Sequence, residues 1–428
     1  MSSAVGDAIR AGRLRNGWTQ AEFARHVHVS PSTVSRWESG HTHLVDIPTL
    51  RRIANELGLA PESLGLTSGP ATKAQGVMDD DPVHRRVLLA NLAVTAAGTA
   101  IPAGWSSGTA NANADTGARL LDALRGMLLG TTTPTGAIPT TLHQANVLLA
   151  DTTQAFGACR YRDLGAVLPR LLAGAQQVAA DRGCPAAHTV VAHGYNLAAR
   201  LLIKLDAAEL GLMAADRAQS FAAASNDGVL IGEAARNMSV LARKMGWHDQ
   251  ATDLALRAAD QIRATDPRSK AQRGLLLMSA GYTAAKQHDT AGLTDFTAQA
   301  EQIAGTLPDR ILLPTHGGGF GGPVVALHLI SGHNAAGDPA AALEVAHKIR
   351  LGALPSVERR ARYLTDVATS YGMWGKRAEC LDMLLQAERI APQEIRARPA
   401  VRNLVNGMLT SGHTSRELRG FAARLRLL

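Results

Sequence analysis

The sequence predicts an all-α fold: a small N-terminal bundle of five helices followed by an α-solenoid of helix pairs. Three observations carry this. From Asp115 onward every periodic signal is helical, and no parallel-strand pattern occurs. Turn residues then recur roughly 40 residues apart, the mark of a repeat array. Finally, Ala and Gly are abundant while aromatics make up only 4% of the chain, which favours closely packed helices. A length of 428 residues exceeds one compact core and implies two or more domains. We divide the chain into a bundle over 1–66, a linker with a short apolar helix over 67–114, and repeats over 115–428.

The first helix is expected from Val5 to Asn16, with Ala8, Ile9 and Leu14 in the core and Gly17 ending it. Thr19 caps the second helix, and Glu22 three residues on completes a capping box. Ala21, Phe23, Ala24 and Val27 give that helix its apolar face. Ser30 caps the third helix, with Pro31 where a missing N–H costs nothing, and Gly40 stops it. Val34 and Trp37 face inward, leaving Ser32, Thr33, Ser35 and Arg36 outward. A short polar helix with small hydroxyls and one Arg on its free side suits the DNA major groove, where Arg grips guanine through two hydrogen bonds. A fourth helix follows over Pro48–Leu57, with Leu50, Ile53, Ala54 and Leu57 as its stripe. Pro61–Leu66 makes a fifth. The cations of this bundle are all Arg and nearly balanced by acids, so a positive face must come from arrangement.

Thr19-Gln20-x-Glu22-Phe23-Ala24, then Val29-Ser30-x-Ser32-Thr33-Val34-Ser35-Arg36-Trp37-Glu38-x-Gly40, resembles the helix-turn-helix of the Xre family, which contains the lambda-repressor-like phage proteins and Cro. The likeness spans about residues 5–66. It implies that Gln20 holds a phosphate, that Ser32, Thr33 and Arg36 face bases, and that Ser39 to His41 approach the DNA backbone. Ser30 and Ser35 complete the expected DNA-contacting set, and Arg13 and Glu38 would pair at the buried edge. Pro31 departs from the family, where many members place a polar reader.

Thr67 to Pro82 reads as linker. His84-Arg85-Arg86 and the apolar run after it look superficially like a twin-arginine export signal or a membrane span. An export signal belongs at an N-terminus, and Met1 to Ile9 has no basic start followed by an apolar run. As a span the segment is interrupted by Asn91, Thr95, Thr99 and Pro102, so a connecting helix is expected and no membrane contact. In the repeats the turns are placed at Tyr161-Arg162, Leu205-Asp206, Gly246-Trp247, His288-Asp289, Gly337-Asp338 and Gly375-Lys376. Pro267, Pro308, Pro355 and Pro392 close several units. Small residues return at like places: Ala251 and Ala258, Ala291 and Ala298, Ala340 and Ala346, Ala378 and Ala387. The pattern resembles degenerate tetratricopeptide repeats, which stack into a right-handed superhelix with a concave groove.

The layout as a whole resembles actinobacterial Xre-type regulators with a tetratricopeptide C-terminal half. Phe320-Gly-Gly-Pro-Val-Val-Ala-Leu-His328 adds to this, although Gly322 is an insertion in the Phe-Gly-Pro…His element of that group. More loosely, the architecture is similar to peptide-sensing quorum regulators of Gram-positive bacteria, whose repeat half dimerises and takes a signal. These resemblances imply a cytoplasmic homodimer on a palindromic operator in double-stranded DNA, with a signalling peptide or small molecule as ligand. Asn196, Arg200, Arg236, Asn237, Tyr282 and His328 occupy first-helix positions suited to facing such a ligand. The alternative is an interaction scaffold, with repeats that bind a partner protein and auxiliary DNA binding.

Other chemistry is poorly supported. Gly104-Trp105-Ser106-Ser107-Gly108 and His316-Gly317-Gly318-Gly319 match hydrolase strings, but in reversed order and without the strand that a nucleophile elbow needs. His188 with His193, and His26 with His28, lack a third metal ligand. No phosphate-binding loop is present, and no cofactor or enzymatic activity is expected. The net charge of +8 permits nucleic-acid binding without requiring it. Cys159, Cys184 and Cys380 read as reduced thiols.

Overall fold

The computed structural model describes residues 4–27, 29, 31–39, 47–59, 116–263, 266–308, 313, 319–410 and 414–428. The expected fifth helix over Pro61–Leu66, the linker and its apolar helix, and the hydrolase-like strings up to Gly318 lie outside these residues. The chain forms two compact units, Met1–Gly98 and Thr99–Leu428.

In the first unit, α1 (Ala4–Arg15), α2 (Gln20–His26), α3 (Pro31–Glu38) and α4 (Ile47–Leu57) enclose a core of Ile9, Phe23, Val34, Ile53 and Trp37. The capping box forms as the sequence requires: the Glu22 N–H donates to Thr19 Oγ1 at 3.2 Å, and the Thr19 N–H donates to the Glu22 carboxylate at 2.7 Å. Leu14 departs from expectation, at 59% exposed. The buried stripe of α1 is Gly6, Ile9, Gly12 and Arg13, and Leu14 lies one residue, about 100°, round from it. Ala21 is likewise exposed, because α2 turns Phe23, Ala24 and Val27 inward. Gly6 is obligatory at its position: a Cβ there would lie 2.5 Å from the Trp37 carbonyl oxygen, where α1 crosses α3.

The second unit opens with α5 (Thr116–Leu129) and continues as six helix pairs. These are α6 (Leu142–Gly157) with α7 (Tyr161–Arg182), α8 (Pro185–Lys204) with α9 (Ala208–Ser225), and α10 (Gly228–Lys244) with α11 (His248–Gln261). They continue with α12 (Pro267–Lys286) and α13 (Thr290–Gly305), α14 (Gly322–Ala336) and α15 (Pro339–His347), and α16 (Val357–Met373) and α17 (Arg377–Ile390). Three short helices follow: α18 (Pro392–Ala397), α19 (Pro399–Thr410) and α20 (Arg416–Arg424).

One device joins the helices within every pair. A single left-handed residue (Cys159, Asp206, Gly246, His288, Gly337 or Gly375) reverses the chain. The next N–H then donates five residues back, as from Arg160 to the Ala155 carbonyl at 2.9 Å or from Lys376 to that of Tyr371 at 2.9 Å. Five expected turns fall on these sites. Tyr161-Arg162 does not: both residues lie inside α7, and the reversal sits on Cys159, a non-glycine residue that gives the sequence no turn signal. Pro267 and Pro392 open α12 and α18 and do not close the preceding units, since proline is tolerated in the first helical turn. Ala251, Ala258, Ala346 and Ala387 are buried between helices, but Ala291, Ala298, Ala340 and Ala378 face solvent. In α13 the inward stripe is Leu293, Thr297 and Ala300.

The first helices of consecutive pairs pack on one another, and α6 also touches α16, so the inner layer closes into a circuit. Hydrogen bonds cross it at the repeat period, such as the Asn237 amide donating to Asn196 Oδ1 at 2.8 Å and the Ser239–Ser279 hydroxyl pair at 3.0 Å. A buried clasp locks the closure. Glu394 of α18 accepts from the Tyr161 hydroxyl and from Lys204 Nζ at 2.7 Å, and Lys204 also reaches Glu358 at 2.7 Å.

Candidate DNA-reading face and polar interior of the repeats

In the first unit the buried Arg13 guanidinium grips Glu38 through two bonds, Nε to Oε1 at 2.6 Å and Nη2 to Oε2 at 3.0 Å. Gln20 Nε2 donates to the same carboxylate at 2.9 Å. Burial alone would raise the Glu38 pKa, but these donors hold it below the ordinary carboxylate range. The ends of α1, α2 and α3 are therefore tied at one anion. Gln20, expected on a DNA phosphate, has its side-chain amide directed to Glu38 in this structure. Of the other expected contacts, Ser32, Ser35, Arg36 and Ser39 are exposed on or just beyond α3, and Thr33 is half-buried. Arg36 Nε rests on the Ser32 carbonyl at 3.3 Å, a weak tether that leaves the guanidinium on the outer surface. Ser30 and His41 lie outside the described residues.

In the second unit, the sequence-predicted ligand residues divide into two groups. Asn196 and Asn237 are fully buried and bonded to each other, joining α8 to α10. Arg200 is buried in an ion pair with Glu233 and lies over the Phe156 ring, with its guanidinium carbon 5.2 Å from the centroid. These three brace the inner layer. The other three meet a cluster that the sequence reading missed. Arg236 Nε donates to the Leu275 carbonyl at 3.2 Å. The half-buried Tyr282 lies under Arg243, with the guanidinium carbon 4.6 Å from the ring centroid. His328 Nε2 lies 3.5 Å from Arg362 Nη1. Arg243, Arg359 and Arg362 gave little signal in the sequence because arginines on a helix are usually solvated. The one usable cue was spacing: Arg236 and Arg243, seven residues apart, share a face of α10.

Phe320 accounts for the glycine-rich element before α14. Its ring fills a notch at Gly274 of α12, where a Cβ would meet it at 2.2 Å, and Pro323 in the first turn of α14 fixes the helix start. This anchoring sets the register that brings His328 to Arg362.

Burial, reinforced by Arg362, Arg359, Arg236 and Arg243, pushes the His328 pKa well below that of an ordinary imidazole. Burial and Arg200 lower His193 to about 4. A histidine held neutral binds fewer protons folded than unfolded. Its contribution to stability is therefore full above about 6.5 and is lost as pH falls through the folded value, about 4 for His193. Burial raises Glu233 to about 7, which acts oppositely by favouring the fold at low pH. Bulk stability thus blends the two, and NMR titration of the individual rings is the direct readout. His193 should titrate near pH 4 and His328 should stay neutral at pH 6; ordinary titration of either ring near 6.5 would contradict the burial described.

Among the described residues no cluster suits a metal ion, and no helix is long and apolar enough to cross a membrane. The three cysteines are free thiols.

Residues 9–64 match the family model described as Helix-turn-helix. No curated protein matches the sequence. Three solved structures share weak overall likeness. Bacillus thuringiensis PlcR in complex with the peptide PapR7 and DNA is 12% identical, covering 70% of this chain and 94% of that one, with a TM-score of 0.30. Pseudomonas aeruginosa pilF is 13% identical, covering 65% and 98%, with a TM-score of 0.31. The P58(IPK) TPR domain is 13% identical, covering 96% and 100%, with a TM-score of 0.22. The chain thus carries a helix-turn-helix DNA-binding domain, followed by a closed array of tetratricopeptide-like helix pairs.

Proposed function

We propose that this protein is a cytoplasmic, sequence-specific transcriptional regulator that acts as a homodimer and whose repeats sense a peptide or small-molecule signal. One observation carries the reading. The exposed face of α3, with Ser32, Ser35 and Arg36, is presented by a bundle whose helix ends are fixed on Glu38. Fixed side chains of these types match base edges in a major groove. A single head contacts too few bases for a useful margin over non-specific DNA, and two heads on half-sites about one or more helical turns apart supply it. A signal acts by binding one arrangement of the heads better than another.

The test is fluorescence-anisotropy binding to DNA from upstream of the protein's own gene, with scrambled DNA as control, at two salt concentrations. Selective binding that falls steeply with salt is expected. Equal weak binding to both DNAs would leave a missing ligand or a protein-interaction scaffold, and equal weak binding after a partner protein has been captured would remove the regulator reading. Arg36→Ala should weaken specific binding by about 1–3 kcal/mol without unfolding the domain. Unchanged affinity in a folded variant would remove α3 as the recognition helix.

A further inference from the structure

The closed circuit buries more positive charge than it neutralises. Arg236 and Arg243 of α10 lie within electrostatic reach of Arg362 on α16, and Arg359 and His328 join the same group. Arg362 meets Asp366 at 3.4 Å, and Arg359 meets Glu358 only at 3.6 Å. Glu358 is itself held by Lys204 at 2.7 Å. Among the described residues no carboxylate lies within ion-pair distance of Arg236 or Arg243. Arg359 is 3% exposed, and its buried Nε has no hydrogen-bond partner.

Burying a guanidinium costs several kcal/mol unless a counter-charge and hydrogen bonds offset it. Here burial lowers the Arg236 pKa, and repulsion from the neighbouring arginines pushes it further, to about 9. Stability alone does not explain such a cluster, since apolar side chains of similar size would pack at no such cost. Its chemistry is that of an oxyanion receptor, because planar guanidinium forks match carboxylate and phosphate oxygens. Arg359 and Arg236 are buried, while Arg362, His328 and Tyr282 keep partial exposure. His328 suits its place: a neutral imidazole accepts from Arg362 and adds no further positive charge.

We propose that Arg236, Arg359 and Arg362 receive the carboxylate or phosphate group of the sensed ligand, with Tyr282 and Arg243 forming an aromatic, cationic wall beside it. This rests on the sensor reading above and gives the ligand a class: small, and anionic at the end that enters.

The full chain is titrated with sodium phosphate and, separately, sodium acetate, at ionic strength held constant with sodium chloride and without DNA. Thermal unfolding of the repeat domain and the His328 NMR resonance are followed. A bound oxyanion raises the midpoint saturably, by about 5–10 °C at a hundredfold excess over its dissociation constant, and shifts the His328 signal. Response to phosphate alone assigns the phosphate class, and response to acetate assigns the carboxylate class. In Arg236→Met and Arg359→Met the anion-free midpoint should hold or rise as repulsion is relieved, while anion affinity falls at least tenfold. Exposed Arg257→Met should respond like the wild type. No response to either anion in the wild type, a response without a His328 shift, or full response in both Met variants overturns the proposal. Selective DNA binding with no anion response would leave the regulator standing and remove only the receptor; the converse result would do the reverse.

Discussion

Glu394→Ala should destabilise the repeat domain by about 3–5 kcal/mol, the range for breaking a buried ion pair from one side. The carboxylate is fully buried; it accepts from the Tyr161 hydroxyl and from Lys204 at 2.7 Å, and it forms an ion pair with Arg398 Nε at 3.4 Å. Its removal strands a buried hydroxyl and leaves two cations to share what remains. Burial and the Glu394 charge both raise the Tyr161 pKa, so the phenol stays protonated and has no second acceptor among the described residues. Glu394→Gln keeps the shape and one acceptor oxygen and should cost less. Urea denaturation followed by far-UV circular dichroism measures both. A loss below about 1 kcal/mol for the alanine variant would mean that the clasp only decorates an array held by its neighbouring pairs.

Arg13→Ala should have the largest effect on DNA binding. It removes from the Glu38 carboxylate, whose side chain is 5% exposed, the guanidinium that meets it through two bonds. The expected cost is again about 3–5 kcal/mol, a large fraction of what a domain of this size possesses. The N-terminal domain should unfold and operator affinity should disappear, while the repeat domain keeps its own transition. The double variant Arg13→Met/Glu38→Leu separates charge from packing, since an apolar pair of similar volume should restore most of the stability. If Arg13→Ala leaves both the N-terminal transition and DNA affinity unchanged, the three helix ends do not depend on this anion.

Local rules made the first domain legible. The capping box at Thr19 and Glu22, the inward Phe23, Val34 and Trp37, and the Arg13–Glu38 pair implied by family resemblance all appear in the structure. Leu14 misled because in a short helix an apolar residue just beside the buried stripe looks the same in sequence as one within it. In the repeats, turns that carry a glycine or an aspartate at the reversal or just after it could be read, and the turn on Cys159 could not. The receptor cluster stayed hidden for a different reason. Its members come from the third to the sixth pairs, and only the folding of the inner circuit brings them together. Periodicity identifies each helix but says nothing of which distant helix faces it. Asn196 and Asn237, whose polarity suggested a ligand, are bonded to each other in the structure.

That closure also bears on how the protein is made. Arg236 is translated well over a hundred residues before Arg359, and Tyr161 more than two hundred before Glu394. On the ribosome the early pairs stack as they emerge, because each needs only its neighbour. The charged interior, however, has no far wall until α16 has left the exit tunnel, and no lock until α18 follows. During that interval the nascent chain presents an open, basic trough. The closed cluster of charges therefore arrives late and all at once, as a property of the nearly finished chain and not of any repeat within it.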